Sequence, residues 1–438
     1  MSSILPFLFV LGVLVFVHEL GHFLLARWHG VRVLTFSLGF GPKLFKFTRG
    51  DTEYCVSIIP LGGFVKMAGE TPDDDTPPRH DEFFAKTKWQ RFQIYIAGPA
   101  ANVVAAFLIM VGVYLYGADE PTYQRNPVEV GSVVEGSSAA KAGIQVGDRI
   151  TSVAGSETPT WADYEKAMLL AAGREIDVVL RRGGVEHRLR FTPDLIEKFH
   201  AADLGVRPMI RMRLGPVEPG EPAERAGMKP GDVIIAIDGA PVDAERVLAI
   251  IRGSIGKPIT LRVRREAAEL DFTVTPIAKE GNGRIGFAPR YETQTVRASG
   301  IGEAVNLSIA HNVDSASLVF KTLRGLFVGE ASPKQLTGFI GIGQAAGAMA
   351  REGAAPLFTF MAMLSMNLAI LNLLPIPLLD GGHIFIMLIE GVARRDFSLR
   401  VKERLLVAGF VLVMTLMVTV IYNDLMRIDW IENLVPWR

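Results

Sequence analysis

The chain has 438 residues, 49% of them apolar and 21% charged, with a mean hydropathy of +0.28. That is too apolar for an ordinary soluble enzyme and too charged for a chain lying wholly in lipid, so both membrane and aqueous parts are expected. The 46 basic and 46 acidic residues cancel, which gives no sign of a nucleic-acid partner, and the single cysteine, Cys55, excludes a disulfide framework or a structural zinc site built on thiolates.

Four segments are apolar enough to span a hydrocarbon core about 30 Å thick, which takes about 20 helical residues. The first, Ile4 to Trp28, is uncharged until Glu19. No Lys or Arg precedes it and no small-x-small cleavage site follows, so it reads as a retained span rather than a cleaved signal peptide. Inside it lies His18-Glu19-Leu20-Gly21-His22. Positions i and i+4 share a helix face, so both imidazoles can reach one ion, with Glu19 beside them to take a proton from bound water. At about 1.5 Å per residue the motif lies about 20 Å into the span. A charged side chain unpaired there costs of order 2–3 kcal/mol on insertion scales, which a metal and a water-filled cavity offset. Polar residues at a helix–helix contact are the plainer alternative.

The second segment, Ile94 to Tyr116, carries no charge. After it, from Asn126 to about Pro289, the pattern changes to short β-rich runs punctuated by glycine and repeats on itself. Ala139–Gly155 aligns with Ala223–Gly239 at an offset of 84, and seven of the seventeen positions match. A period near 80 suits two small domains better than a solenoid. From Glu292 to Ala355 the chain reads as amphipathic helices, expected on the outer membrane surface or, alternatively, packed on the second repeat. The third apolar segment, Pro356 to Val392, is broken by Pro375 and Pro377 and carries Asp380 and Glu390, while the fourth, Leu405 to Tyr422, is uncharged. Lys and Arg crowd the connection between the first two segments and the one between the last two. Those loops are therefore expected in the cytoplasm, with both termini and the middle region outside.

A catalytic zinc ordinarily takes three protein ligands and leaves one position for water. Beyond His18 and His22 the choice is narrow. Cys55 is solitary and outside the spans. Asp380 follows the double-proline break, and broken helix at membrane depth is tolerated where it faces protein or a cavity. His383 is the competing third ligand, and Glu390 falls near the cytoplasmic interface.

The HELGH motif together with Asn372-Leu-Leu-Pro-Ile-Pro-Leu-Leu-Asp380-Gly381 resembles the site-2 protease family of intramembrane zinc metalloproteases, and the resemblance covers nearly the whole chain. It implies that His18, His22 and Asp380 hold Zn2+, that Glu19 is the general base and that Asn372 contacts substrate. Tyr54–Met67 resembles that family's membrane-reentrant β-hairpin, whose edge can pair with a substrate strand. The alternation of Val56 and Ile58 and the Gly62-Gly63 turn suit one, which makes Gly62, Gly63 and Phe64 candidate substrate contacts. The small residues of Ala97–Asn102 match the family's second span, where they permit close helix approach. Leu336-Thr337-Gly338-Phe339 departs from the Leu-Ser-Gly-Pro of close relatives.

The two repeats resemble PDZ domains, with Leu204–Pro208 and Ile285–Pro289 where such domains carry a peptide-binding loop; folded spacers that bind nothing are the alternative. The resemblance thus implies a polytopic α-helical membrane protein with four transmembrane helices, two tandem extracytoplasmic PDZ domains and a membrane-reentrant β-hairpin. The expected boundaries are 1–28, 29–93 with the hairpin at about 54–67, 94–116, 127–208, 209–290, 291–355, 356–392, 405–422 and a tail at 423–438. The implied activity is hydrolysis of peptide bonds within the membrane, in the bacterial inner membrane, with the active site toward the cytoplasm. Implied substrates are single-span anti-sigma factors already trimmed outside, and leftover signal peptides. The PDZ pair is expected to hinder substrates with bulky outer domains. A non-catalytic PDZ membrane scaffold and a metal transporter are the rivals; four intact site residues argue against the first, and a single intramembrane site against the second.

Overall fold

The computed structural model describes residues 3–70, 79–169, 171–196, 201–279, 281–329 and 333–426. The expected tail beyond Met426 lies outside the described residues. The chain divides into a helical unit, drawn from before Ala118 and after Val296, and a β-rich unit formed by Asp119–Thr295.

Long apolar runs build the helical unit. Among the described residues four helices are long and apolar enough to cross a bilayer: Ile4–Trp28, Lys88–Tyr116, Ala354–Asn372 and the last, Leu399–Met426. Helix 88–116 starts six residues ahead of its apolar run because Thr87 and Gln90 cap it reciprocally. The Gln90 N–H donates to the Thr87 hydroxyl at 3.3 Å, and the Thr87 N–H donates to the Gln90 side chain at 3.0 Å.

The third apolar stretch does not form one helix. It stops at Asn372 and resumes as Asp380–Ala393. Pro375 and Pro377 cannot donate to a helical ladder, and Leu378 takes a left-handed φ of 111°, so the connection folds back on itself. It folds tightly. A Cβ at Gly381 would lie 2.2 Å from the Leu373 carbonyl oxygen, and one at Gly382 would lie 2.2 Å from that of Ile376. The last helix presses on the same turn, since a Cβ on Gly409 would lie 1.6 Å from the Pro377 carbonyl oxygen.

Two further helices complete this unit. Helix Ile301–Val328 buries Ala304 with Met110 and Val113, and the Ser308 hydroxyl donates to the Phe107 carbonyl at 2.8 Å. Helix Phe339–Glu352 follows the Leu336–Phe339 segment directly. Its first turn is capped from the end of the last helix: Asp424 accepts from the N–H groups of Gly338, Ile340 and Gly341 at 3.0–3.1 Å. Glu390 is buried, accepting from Lys402 at 2.8 Å and the Phe397 N–H at 2.9 Å, with Lys88 at 3.8 Å. It ties helix ends together away from the metal-type cluster described below.

The sheet beside the first helix is larger than a 54–67 hairpin. Strands Val33–Arg49 and Thr52–Met67 both bend, so Thr35–Leu38 pair with Glu53–Val56 on one side and with Gly63–Lys66 on the other. The bends fall at Gly39, Gly41 and Gly62, all at positive φ. Lys43–Arg49 pair with Thr52–Ser57 and carry exposed Leu44, Phe45 and Phe47.

In the β-rich unit the repeat is structural as well as sequential. The first copy orders strands 156–157, 149–153, 176–182 and 185–191; the second orders 268–274, 259–265, 233–237, 212–217 and 287–291. Their cores correspond 83 or 84 positions apart: Val130 with Leu214, Ile150 with Ile234, Val178 with Leu261 and Met168 with Ile251. Each copy also carries one ion pair to a buried aspartate. Arg182 donates through Nε and Nη2 to the Asp148 carboxylate, both at 2.7 Å, and Arg265 does the same to Asp232. Arg182 holds the Asp148 carboxyl below the usual carboxylate range.

Candidate metal centre

Two helices meet where neither has room for a side chain. A Cβ on Gly21 would lie 2.2 Å from the Ala97 carbonyl oxygen. A Cβ on Gly98 would lie 2.3 Å from His22 Nε2 and 2.8 Å from His18 Cε1. Glycine at 21 and 98 is therefore what lets helix 88–116 pass directly behind the two imidazoles. Pro99, next in line, leaves the helix one donor short at that level.

His18, His22 and Asp380 come together at this crossing, brought from the first helix and from the turn after the proline break. His18 Nε2 lies 3.2 Å from Asp380 Oδ2, His22 Nε2 lies 3.4 Å from the same oxygen, and the two Nε2 atoms are 3.2 Å apart. A tetrahedral zinc with bonds of about 2.0–2.1 Å holds its ligand atoms about 3.3–3.4 Å apart. The three atoms thus already form one face of such a tetrahedron, and the donor set fits the ion. His22 Nδ1 lies 2.8 Å from the Ile94 carbonyl. A carbonyl only accepts, so Nδ1 carries the proton and Nε2 presents its lone pair to the cluster.

The other expected site residues fall into two groups. Asn372, ending its helix, brings Nδ2 to 3.4 Å from His18 Nε2. Glu19 is buried beside the cluster, and Gly63 is placed so that a Cβ would lie 2.9 Å from Glu19 Cγ and 2.9 Å from Val15. The strand carrying Gly63 therefore runs against the residue expected to act as base. Gly62 and Phe64 pack on Phe40 instead; the Phe40 and Phe64 rings stack at 6.1 Å. His383, the competing ligand, is outside the cluster, its ring stacked on Tyr95 at 4.8 Å with an interplanar angle of 1°. Cys55 is buried in the sheet and takes no part. Asn102, which closes the small-residue run 97–102, brings its amide to 3.2 Å from His18 Nδ1. Its spacing of four from Gly98 was the available signal, since i and i+4 share a helix face.

The family model of peptidase family M50 matches residues 6–416. The chain belongs to that family. It is 34% identical to a Yersinia pestis protein named Protease RseP, over 97% of this chain and 99% of the relative. It is also 34% identical to the regulator of sigma-E protease RseP of Escherichia coli K12, over 96% of this chain and 98% of the relative. A Neisseria meningitidis protein with a provisional zinc metalloprotease name is 34% identical over 98% of this chain. The M50 match runs through both halves of the cluster, His18 with His22 and Asp380.

Proposed function

We propose that this chain is a zinc metalloprotease that cuts peptide bonds inside the membrane, with His18, His22 and Asp380 as ligands and Glu19 as general base. The observation that carries this reading is the triangle of Nε2, Nε2 and Oδ2 atoms at tetrahedral spacing, set between apolar helices. Zinc bound there lowers the pKa of its water toward 7 and polarises the scissile carbonyl. Glu19 takes the water's proton on a carboxylate oxygen and delivers it to the leaving amine. Asn372 donates from Nδ2 to the substrate backbone beside the cut.

A substrate helix has every backbone group bonded internally, so a carbonyl reaches the site only after local unwinding. Strand 62–67 offers replacement pairing. Gly63–Lys66 pair with Thr35–Leu38 on one side, no strand pairs with the other side among the described residues, and Gly63 abuts Glu19. On this reading the sheet is the reentrant element of the family. The repeats act as PDZ domains. In support, the first has a groove of about 390 Å3 beside helix Trp161–Met168 and strand Val206–Pro208, lined by Tyr164, Met168, Val206 and Arg207. Substrates are single-span membrane proteins of the anti-sigma type, already trimmed outside the bilayer of a bacterial inner membrane. The Lys- and Arg-rich loops support a site that faces the cytoplasm.

The deciding experiment gives purified protein a trimmed single-span anti-sigma factor, with and without a zinc chelator, beside Glu19→Gln. Cleavage by the parent, lost in the chelated sample and in Glu19→Gln with zinc content kept, supports the reading. A Glu19→Gln variant as active as the parent ends it.

A further inference from the structure

Asn102 is fully buried on helix 88–116, on the side of His18 away from the cluster. Its own backbone is held from a third helix, where the Ser365 hydroxyl donates to the Asn102 carbonyl at 2.8 Å. The side chain is thus fixed on a rigid crossing rather than on a loop. Two facts about its amide conflict with a passive role. The Nδ2 atom lies 3.2 Å from His18 Nδ1, and the Oδ1 atom is buried with no hydrogen-bond partner. A buried acceptor left unpaired costs about 1–3 kcal/mol.

The His18 tautomer decides which end of the amide must face the ring. A neutral imidazole carries one proton. His18 turns Nε2 toward His22 and Asp380, so a metal bound there requires the lone pair on that nitrogen and the proton on Nδ1. A protonated Nδ1 needs an acceptor. A half-turn of the Asn102 amide exchanges its two ends, so that Oδ1 accepts from Nδ1 and the amide nitrogen takes the position that Oδ1 leaves. His22 is served in the same way, by the Ile94 carbonyl two turns earlier on the same helix. Resting on the zinc reading above, we infer that Asn102 is a positioning residue: its amide oxygen accepts the His18 Nδ1 proton and fixes that ring in the tautomer and orientation that hold the metal. Helix 88–116 contributes no ligand and orients both imidazole ligands. Loss of such outer partners typically costs 10–100-fold in metal affinity.

The test uses the full chain purified in detergent, with zinc affinity measured by competition against a chromophoric chelator and unfolding followed with and without zinc. Asn102→Ala is expected to weaken zinc binding about 10–100-fold. The melting temperature of its metal-free form stays near the parent's, and the rise produced by zinc shrinks. Asn102→Asp, which accepts but cannot donate, is expected to keep parental affinity. The inference is overturned if Asn102→Ala binds zinc as tightly as the parent, or if Asn102→Asp binds as weakly as the alanine variant, because the ring would then need a donor. Should the alanine variant fail to fold, the aspartate variant decides alone. His18→Ala serves as the control: if it binds zinc as well as the parent, the metal site itself is misplaced and this inference falls with it.

Discussion

The helices around the metal-type cluster and the tandem repeats differ in how much of their packing can be redistributed. In the helices, geometry depends on positions where a side chain has no room, namely Gly21, Gly98, Gly381, Gly382 and Gly409, each facing backbone or an imidazole at under 3 Å from a notional Cβ. In the repeats backbone also closes on Gly131, Gly215 and Gly283, but the core positions that correspond between the copies hold different side chains: Trp161 answers to Ala244, Tyr164 to Val247 and Val128 to Met212. Apolar volume can be redistributed among neighbours, whereas backbone laid against backbone or imidazole cannot. The difference predicts brittleness in one region and tolerance in the other.

The sharpest way to break this contrast is Gly98→Ala. The methyl group would drive into His22 Nε2, and a displacement near 1 Å at a reacting centre costs about 100-fold in rate. Cleavage assays paired with zinc content should show both falling; an active Gly98→Ala enzyme would refute the steric account. Gly409→Ala acts one step removed, through the Pro377 carbonyl and the turn bearing Asp380. The last helix is largely exposed and can shift, so a loss of about tenfold in cleavage is expected, under the same positioning principle. Deleting residues 127–290 tests the other side. Cleavage of a trimmed substrate should survive, and a substrate with its outer domain intact should become cleavable; continued rejection of the latter removes the size-filter role.

Smaller effects are expected inside the repeats. Asp148→Asn removes a charge-assisted pair whose arginine is partly exposed, for a cost of about 1–2 kcal/mol in the first repeat. Because Arg182 depresses the Asp148 carboxyl in the folded state, the unfolded chain takes up a proton at higher pH than the folded one. The stabilisation is therefore complete above the ordinary aspartate value near 3.9 and fades as pH falls through the lower folded value. Acid melts of the parent should lose that increment, while Asp148→Asn, lacking it throughout, should show a flatter dependence. Ile150→Val and Ile234→Val should each cost about 0.5–1.5 kcal/mol in unfolding and leave cleavage of a trimmed substrate unchanged.

Much of the cluster was legible from residues close in sequence. Two histidines one helical turn apart announce a shared ligand face, and two prolines before Asp380 announce a break. The repeat could be found because its turns demand glycine at matching places, as at Gly155 and Gly239, both at φ 80°. Other features depend on residues far apart and left no local mark. Arg182 meets Asp148 across 34 positions, and Glu390 finds Lys88 from another helix. The sheet begins at Val33 rather than near 54; the alternation of Phe45-Lys46-Phe47-Thr48 was the signal available for its first strand. Asn102 was hidden differently: an amide among alanines reads as helix packing until an imidazole is seen beside it.

The cap that Asp424 provides bears on how the chain matures. The N–H groups opening helix 339–352 are synthesised 83 to 86 residues before the carboxylate that receives them. Until the final helix has left the ribosome and entered the bilayer, that helix end has no native acceptor and must rely on water or headgroups. Its seating is therefore a late event of biogenesis, completed only after Asp424 has been made.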